Sequence, residues 1–295
     1  MSFHFLFVIN PVSGGRVKTA WAETIRDYFA ELPHRVTLFE LTGKNDEERL
    51  RLELHRLRPD RVVAVGGDGT IKLVAEAILE HGLPLGILPA GSANGMAREL
   101  DLPADIDEAL EVVVNGLPRP VDVIHLDGHG LCIHLSDIGL NAQLIRYYQR
   151  NNWRGKFGYA RGILKVLLRK RSLHIRITTN DCVIYREAYM VVLANARMYG
   201  TGAVINPEGD PMDGQFEVVV MRQVSFWEFL KMFWRFRPFD RQKIEILSAR
   251  SVQIETRKRA YFQVDGEYRG RIRQITAEIR PGRLQVLLPP DHSTR

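Results

Sequence analysis

Gly66-Gly67-Asp68-Gly69-Thr70 is the stretch whose residue types and spacing could do chemistry most directly. Arg61-Val62-Val63-Ala64-Val65 before it is β-type, and Ile71 to Leu79 after it has apolar residues at helical spacing. A buried strand therefore ends in a glycine turn and a helix starts at once. Such a turn aims backbone N–H groups and the positive end of a helix dipole at one point, which suits a phosphate. The glycines let the backbone approach an anion closely. Asp68 would repel a bare phosphate, so the pattern predicts a nucleotide with Mg²⁺ between them. The plainer alternative is a strand–helix turn in which Asp68 is only an N-cap.

The elements around this turn alternate. Phe3 to Ile9 reads as a strand closed by Asn10-Pro11-Val12-Ser13-Gly14-Gly15, and a helix follows from about Val17 to Glu31. Val36 to Leu41 is a strand closed by Thr42-Gly43, Asp46 to Leu57 an amphipathic helix, and Pro84 to Leu88 a strand leading to Pro89-Ala90-Gly91-Ser92-Ala93-Asn94-Gly95. Alternation of this kind predicts an α/β domain with a mostly parallel sheet, covered on both faces. Ligands of such sheets sit outside the carboxyl ends of the strands. Four of those ends carry small polar residues: Asn10, Ser13 and Gly14; Thr42; Gly66 to Thr70; and Gly91, Ser92 and Asn94. No G-x-x-x-x-G-K-[ST] occurs, and no G-x-G-x-x-G follows the first strand, which argues against a P-loop enzyme and a simple dehydrogenase.

The character changes near residues 118–122. Strand-like runs dominate beyond: 121–126, 130–135, 173–178, 183–193, 215–221, 251–255, 260–264, 274–279 and 284–288, with helical segments around 157–170 and 225–236. We read two domains, 1–122 and 123–295, the second mainly antiparallel β, with about ten final residues returning to the first. The chain has 295 residues, 45% hydrophobic and 26% charged, as in a soluble globular protein. Cys132 and Cys182 do not make a disulfide framework or a metal-ligand pair, which fits a reducing cytoplasm. The N-terminal residues lack signal-peptide character, and no apolar run approaches the length needed to span a bilayer. The net charge of +6 suits ATP, an anionic membrane or nucleic acid, and does not choose among them.

Asn10-Pro11-x-Ser13-Gly14, Gly66-Gly67-Asp68-Gly69-Thr70 and Pro89-Ala90-Gly91-Ser92-x-Asn94, in this order and spacing, closely resemble the diacylglycerol kinase catalytic domain family. That family includes bacterial lipid kinases and the sphingosine and ceramide kinases. Pro211-Met212-Asp213-Gly214-Gln215-Phe216-Glu217 resembles its D-G-x-L-D, and Val264-Asp265-Gly266-Glu267 its D-G-E, so the likeness covers essentially the whole chain. The resemblance implies an NAD kinase/diacylglycerol kinase-like α/β domain, a β-sandwich domain, and transfer of the ATP γ-phosphate to a hydroxyl of diacylglycerol or a related lipid. It places Asn10, Ser13, Gly14, Thr42, Gly66, Gly67, Asp68, Gly69, Thr70, Ile71, Lys72, Ser92 and Asn94 around ATP. Asp68 would hold the catalytic Mg²⁺, joined by Glu267 and Glu217. Asp265 would be the general base, and a structural Mg²⁺ would sit near Asp210, Asp213 and the main-chain carbonyl of Gln215. Two apart, Asp265 and Glu267 would share a strand face; the plainer alternative is a solvated Asp-Gly hairpin.

Two positions depart from the family. Asn94-Gly95 stands where bacterial diacylglycerol kinases read Asn-Asp, so one acid of the metal network is absent, and Glu217 replaces an Asp. The first motivates two alternatives, a sphingoid- or ceramide-type kinase and a catalytically weak lipid- or nucleotide-binding regulator; NAD kinase is more distant. Residues 146–176 carry ten Lys/Arg and no Asp or Glu, interleaved with Tyr147, Tyr148, Trp153, Phe157 and Tyr159. This predicts peripheral docking at an anionic membrane through Arg169, Lys170 and Arg171. For the aromatic stretch 226–237 we favour packing against the β domain. No nucleic-acid motif accompanies the basic stretch. A homodimer is left open.

Overall fold

A computed structural model describes residues 2–13, 18–151, 171–179, 182–199, 202–223, 239–240 and 242–291. The helical segments expected around 157–170 and 225–236 lie outside these, as do Gly14, Arg169 and Lys170. The chain divides into two compact units, Met1–Val121 with Gly282–Arg295, and Asp122–Pro281.

In the first unit, β1 (His4–Ile9), β2 (Arg35–Glu40), β3 (Arg61–Gly66) and β4 (Leu85–Pro89) pair in parallel in the order β2-β1-β3-β4. Phe5 to Ile9, Val62 to Val65 and Leu85 to Leu88 are buried. Continuous apolar runs of this kind belong to strands covered on both faces. The helices are α1 (Lys18–Phe29), α2 (Asp46–Leu57), α3 (Asp68–Ile78), α4 (Gly95–Glu99) and α5 (Ile106–Asn115). Trp21, Ile25 and Phe29 of α1 and Leu110 and Val113 of α5 pack with Phe5, Phe7, Val63 and Val65 in one core. Asp105 caps α5 by accepting from the Asp107 and Glu108 amides. The ladder pairs Ile9 with Glu40 and with Val65, and Gly66 with Pro89. The four carboxyl ends are therefore level, and the turns that follow them open on one edge.

The second unit is antiparallel. It contains β5 (Leu117–Leu126) from Asp122 onward, β6 (Gly130–Cys132), β7 (Leu135–Gly139), α6 (Leu140–Asn151), β8 (Leu173–Thr179), β9 (Val183–Ala188), β10 (Met190–Ala194), β11 (Phe216–Met221), β12 (Ile244–Ala249), β13 (Ser251–Val264) and β14 (Glu267–Leu288) up to Pro281. The ladders β7–β10, β10–β11, β11–β12, β7–β13, β8–β13, β13–β14, β8–β9 and β5–β6 are all antiparallel. Phe216, Val218, Ile254, Phe262, Val264 and Ile275 form its main core.

Several expected boundaries move. The run 183–193 breaks at Tyr189, where the backbone bends and β10 begins. The runs 274–279 and 284–288 are one strand, which continues through Pro281-Gly282 although Gly282 has φ 58°. The run 130–135 splits into β6 and β7, leaving Ile133 and His134 outside the ladder. Helix α6 and strand β12 are additional. Among the described residues no helix is long and apolar enough to cross a membrane.

Candidate active site

In the first unit the glycine turns meet backbone to backbone. A Cβ on Gly91 would stand 2.5 Å from the Gly67 Cα and 2.7 Å from Asn94 Oδ1. A Cβ on Gly66 would overlap the Thr70 hydroxyl. Asn94 takes the left-handed conformation (φ 51°), and its Oδ1 accepts from the Gly91 amide at 2.8 Å. Asn10 Nδ2 donates to Thr70 Oγ1 at 3.0 Å, and its Oδ1 accepts from the Val12 amide at 3.2 Å. Asn10, Ser13, Gly66, Gly67, Asp68, Thr70, Gly91 and Asn94 are thus brought together by three turns.

Asp68 is neither a simple N-cap nor an unattached carboxylate. Gly67 is the N-cap of α3, and the Asp68 side chain reaches across to the start of α4, accepting from the Gly95 amide at 3.0 Å and the Met96 amide at 2.9 Å. Gly95, the departure from the family's acid, therefore contributes a main-chain donor to Asp68. A carboxylate has about four acceptor sites, so two amides leave room for a further partner, and its hard oxygens suit Mg²⁺.

Other expected ATP residues are used differently. Thr42 and Gly43 wrap Asp46: its Oδ1 accepts from the Thr42 amide (2.9 Å) and hydroxyl (3.0 Å), and its Oδ2 from the Gly43 amide (2.6 Å). Arg49 Nη1 adds 2.8 Å. Burial alone would raise the Asp46 carboxyl, and these donors outweigh it and leave it below its ordinary value. Asp46, which the sequence reading passed over, orders this turn. The Ile71 side chain is fully buried in the core, Lys72 is also buried, and Ser92 is exposed.

In the second unit Asp265 and Glu267 do not lie on one strand. Val264 pairs with Glu267 across the hairpin, and Asp265-Gly266 is the two-residue turn between them. Both have positive φ, 48° and 84°, as a type I′ turn requires, and Asp-Gly is its preferred pair. The turn is the one the plainer hairpin alternative expects, and Gly266 and Glu267 are exposed, but Asp265 itself is half-buried and hydrogen-bonded. Asp265 Oδ1 accepts from the His134 amide (3.0 Å) and Cys132 Sγ (3.3 Å), and Oδ2 from the Ile133 amide (3.3 Å). These amides are available because β6 and β7 are interrupted there. Glu267 instead faces outward, 53% exposed, with Arg269 Nη2 at 2.7 Å.

Behind the turn lies a polar network that the sequence reading missed. Gln263, 1% exposed, accepts from the Gly266 amide at 2.7 Å and donates to Asp137 Oδ2 at 2.6 Å. Asp137 also accepts from Asn141 Nδ2 (2.6 Å) and the Ala142 amide (2.9 Å), which fastens the start of α6. Complete burial pushes its carboxyl up to about 6, against the opposing hydrogen bonds of Asn141, Gln263, Ala142 and Tyr199. His134 Nε2 and Asn195 Oδ1 are buried without a hydrogen bond among the described residues, and the Asn195 amide donates to the His134 carbonyl.

The expected metal residues are dispersed among separate partners. Asp210 Oδ1 accepts from the Met212 amide (3.0 Å) and Asp213 Oδ1 from the Gln215 amide (2.8 Å). Asp122 fixes the same loop by accepting from Gly214 at 2.6 Å. Glu217 accepts from Asn206 Nδ2 (2.5 Å) and Ser248 Oγ (3.4 Å); burial pushes its carboxyl up, and the charges of Asp213 and Glu208 add to this. Among the described residues no three His, Cys, Asp or Glu side chains are gathered as a metal would need. Of the three expected membrane residues, Arg171 alone is described, and it is exposed.

The two halves of the chain each have a counterpart among known families. The model described as the diacylglycerol kinase catalytic domain matches residues 4–126, and the YegS C-terminal NAD kinase beta sandwich-like domain matches residues 136–288. The chain belongs to the diacylglycerol kinase catalytic domain family. A diacylglycerol kinase of Bacillus subtilis is 24% identical over 271 residues, covering 89% of each chain. One of Mycobacterium tuberculosis is 27% identical over 295 residues, covering 95% of this chain and 93% of its own. The crystal structure of a diacylglycerol kinase from Bacillus anthracis covers 98% of both chains with a TM-score of 0.77 at 19% identity. A second solved chain from that organism reaches 0.82 at 22% identity. The family's fold, an α/β domain with a mainly parallel sheet and an antiparallel β domain, is the one expected from the sequence.

Proposed function

We propose that this member of the family is a lipid kinase that moves the γ-phosphate of ATP to a hydroxyl of diacylglycerol or a related lipid. The observation that carries the reading is the level edge of the parallel sheet, where three turns press together with no side chain between Gly67 and Gly91. Main-chain N–H groups and the start of α3 face that edge, and phosphates suit it. Asn10, Ser13, Thr70 and Asn94 hold the turns in shape around the nucleotide. Mg²⁺, when bound at Asp68, neutralises charge on the phosphates. Asp265 takes the proton as the lipid hydroxyl's O–H bond breaks and its oxygen attacks the γ-phosphorus, with ADP leaving. The Cys132, Ile133 and His134 donors fix the direction of that carboxylate, which is what a positioned base needs.

Incubation with radiolabelled ATP and Mg²⁺ and a panel of diacylglycerol, ceramide, sphingoid base and NAD, resolved by chromatography, tests the reading. Label in phosphatidic acid is expected. Label in ceramide phosphate or sphingoid phosphate would move the acceptor to that branch, which the glycine at position 95 favours. Label in NADP, or nucleotide binding with no label transferred, would overturn lipid phosphorylation.

A further inference from the structure

Strands β13 and β14 do not run in step. Glu255 faces Gln274 and Ala260 faces Ile272, so residues 256–259 of β13 stand against Arg273 alone on β14. A bulge of this kind breaks the alternation and re-aims side chains. Thr256 turns inward, its hydroxyl donating to the Arg273 carbonyl at 3.2 Å, while Arg257, Lys258 and Arg259 are all exposed. Beyond the bulge Arg273, Arg271 and Arg269 are exposed at every second position of β14. Of these basic residues Arg269 has a carboxylate partner, Glu267; among the described residues the others have none.

One pair on this face is unusual. Arg146 of α6 and Arg271 both donate to the phenol oxygen of Tyr261, Arg146 at 2.9 Å. Their Cζ atoms lie 5.2 and 4.3 Å from the Tyr261 ring centre, and the Tyr268 ring lies 6.1 Å from that of Tyr261. The rings offset part of the cost of holding two cations together. Like charges gathered at one neutral oxygen still repel, and an anion between them would convert that repulsion into two charge-assisted hydrogen bonds.

We propose that this face of the second unit docks on the phosphate headgroups of an anionic bilayer, with Arg146 and Arg271 seating one phosphate. The proposal rests on the lipid-kinase reading and names the surface through which such an enzyme meets its substrate. Charge spread along a strand, with tyrosines whose rings are apolar and whose tips are polar, matches a flat interface. A groove reader would instead present a free ribbon or helix, whereas β13 is also paired with β7 and β8 and belongs to a larger sheet. The same hairpin ends in Asp265-Gly266, four residues beyond Tyr261. That is within about 15 Å along a strand, so docking carries the turn toward the interface.

Co-sedimentation of the full chain with phosphatidylcholine vesicles, with and without phosphatidylglycerol, tests this without any turnover. Wild type is expected to bind the anionic vesicles and lose them as salt is raised. Arg257→Ala/Lys258→Ala/Arg259→Ala/Arg271→Ala should bind them about a hundredfold or more weakly. A control of equal charge on the first unit, Arg26→Ala/Arg51→Ala/Arg56→Ala/Arg58→Ala, should stay within about threefold of wild type. If the first variant fails to fold by circular dichroism, Arg146→Gln/Arg271→Gln replaces it, with a loss of about tenfold or more expected. Undiminished binding, equal loss in the control, or wild-type binding indifferent to phosphatidylglycerol would each overturn the proposal. Phosphorylation of a short-chain diacylglycerol in solution is scored separately, so a failed kinase reading and a failed docking surface give different results.

Discussion

The glycine-turn edge of the first unit and the Asp265 hairpin of the second are built by opposite means. The first is made of backbone: Gly66, Gly67 and Gly91 have no side chain to spare room for, and Asp68 is held by two main-chain amides. The second is made of buried side chains, in which Gln263 ties the turn to Asp137 and the interrupted β6–β7 edge supplies donors to Asp265. A backbone site depends on space and on turn conformation. A side-chain network depends on protonation and on every member finding its partner. Substitutions that separate these dependences should therefore act differently in the two units.

The largest effect is expected at Asp265. Asp265→Asn keeps the shape of the side chain and can still accept the His134 amide, and removes the capacity to take a proton. Turnover should fall by about 10²–10⁴ with ATP binding nearly unchanged, measured by initial rates and equilibrium titration of the nucleotide. A turnover within a few-fold of wild type would remove Asp265 from the mechanism and leave the hairpin as a structural turn.

The next effect belongs to Asp137 and concerns pH. Its carboxyl titrates near 6 when folded, against an ordinary 3.8. Below about pH 3.8 both folded and unfolded chains hold the proton, and this group is silent. As pH rises the unfolded chain releases its proton first, so stability falls through the window between the two values, by up to ~3 kcal/mol at neutral pH. Denaturant midpoints at about pH 4 and about pH 7 should show this loss in wild type and not in Asp137→Asn, which has no proton to release. The same slope in both proteins would mean that other groups carry it.

Glycine plays two different parts, and two alanines sharpen the contrast. Gly91→Ala must displace backbone, since its Cβ would stand 2.5 Å from the Gly67 Cα, and should cost about 1–3 kcal/mol while weakening ATP binding. Gly266→Ala meets nothing within 4 Å, and its cost comes only from the positive φ, about 1 kcal/mol. Thermal unfolding of both, with nucleotide titration, measures the difference. Equal effects on ATP binding would show that the two glycine turns are not separable in the way proposed.

The same contrast explains what could be read from the sequence. Turns such as Gly66 to Thr70 and Gly91 to Asn94 announce themselves locally, because glycine and small polar residues have meaning at fixed offsets from a strand end. Level strand ends then follow from parallel pairing, so the first unit's edge was foreseeable. Asp265 lies 131 residues from His134, and no local pattern links them. Gln263 reads as an ordinary strand residue until Gly266 and Asp137 are both beside it. Strand β12 was missed because only Ile244 and Ala249 at its two ends are buried, so its alternation is weak. Helix α6 was obscured because its start is fastened by Asp137 from the preceding strand, not by an adjacent cap.

The smallest effect is expected at Glu267, and it separates fold from chemistry at the hairpin itself. Glu267 is more than half exposed and its partner Arg269 is two residues away, so the pair is solvent-screened. Exposed pairs of this kind contribute about 0–1 kcal/mol, and Glu267→Gln keeps the length of the side chain and one acceptor oxygen. Its unfolding midpoint should therefore match wild type. If Glu267 also serves the metal, as its position in the family implies, the loss of charge should raise the Mg²⁺ concentration for half-maximal rate while leaving the rate at saturating Mg²⁺ within a few-fold. An unchanged Mg²⁺ titration would assign Glu267 to Arg269 alone. A large fall in turnover that Mg²⁺ does not restore would place it nearer the transferred proton than Asp265 and reverse the roles given to the two acids.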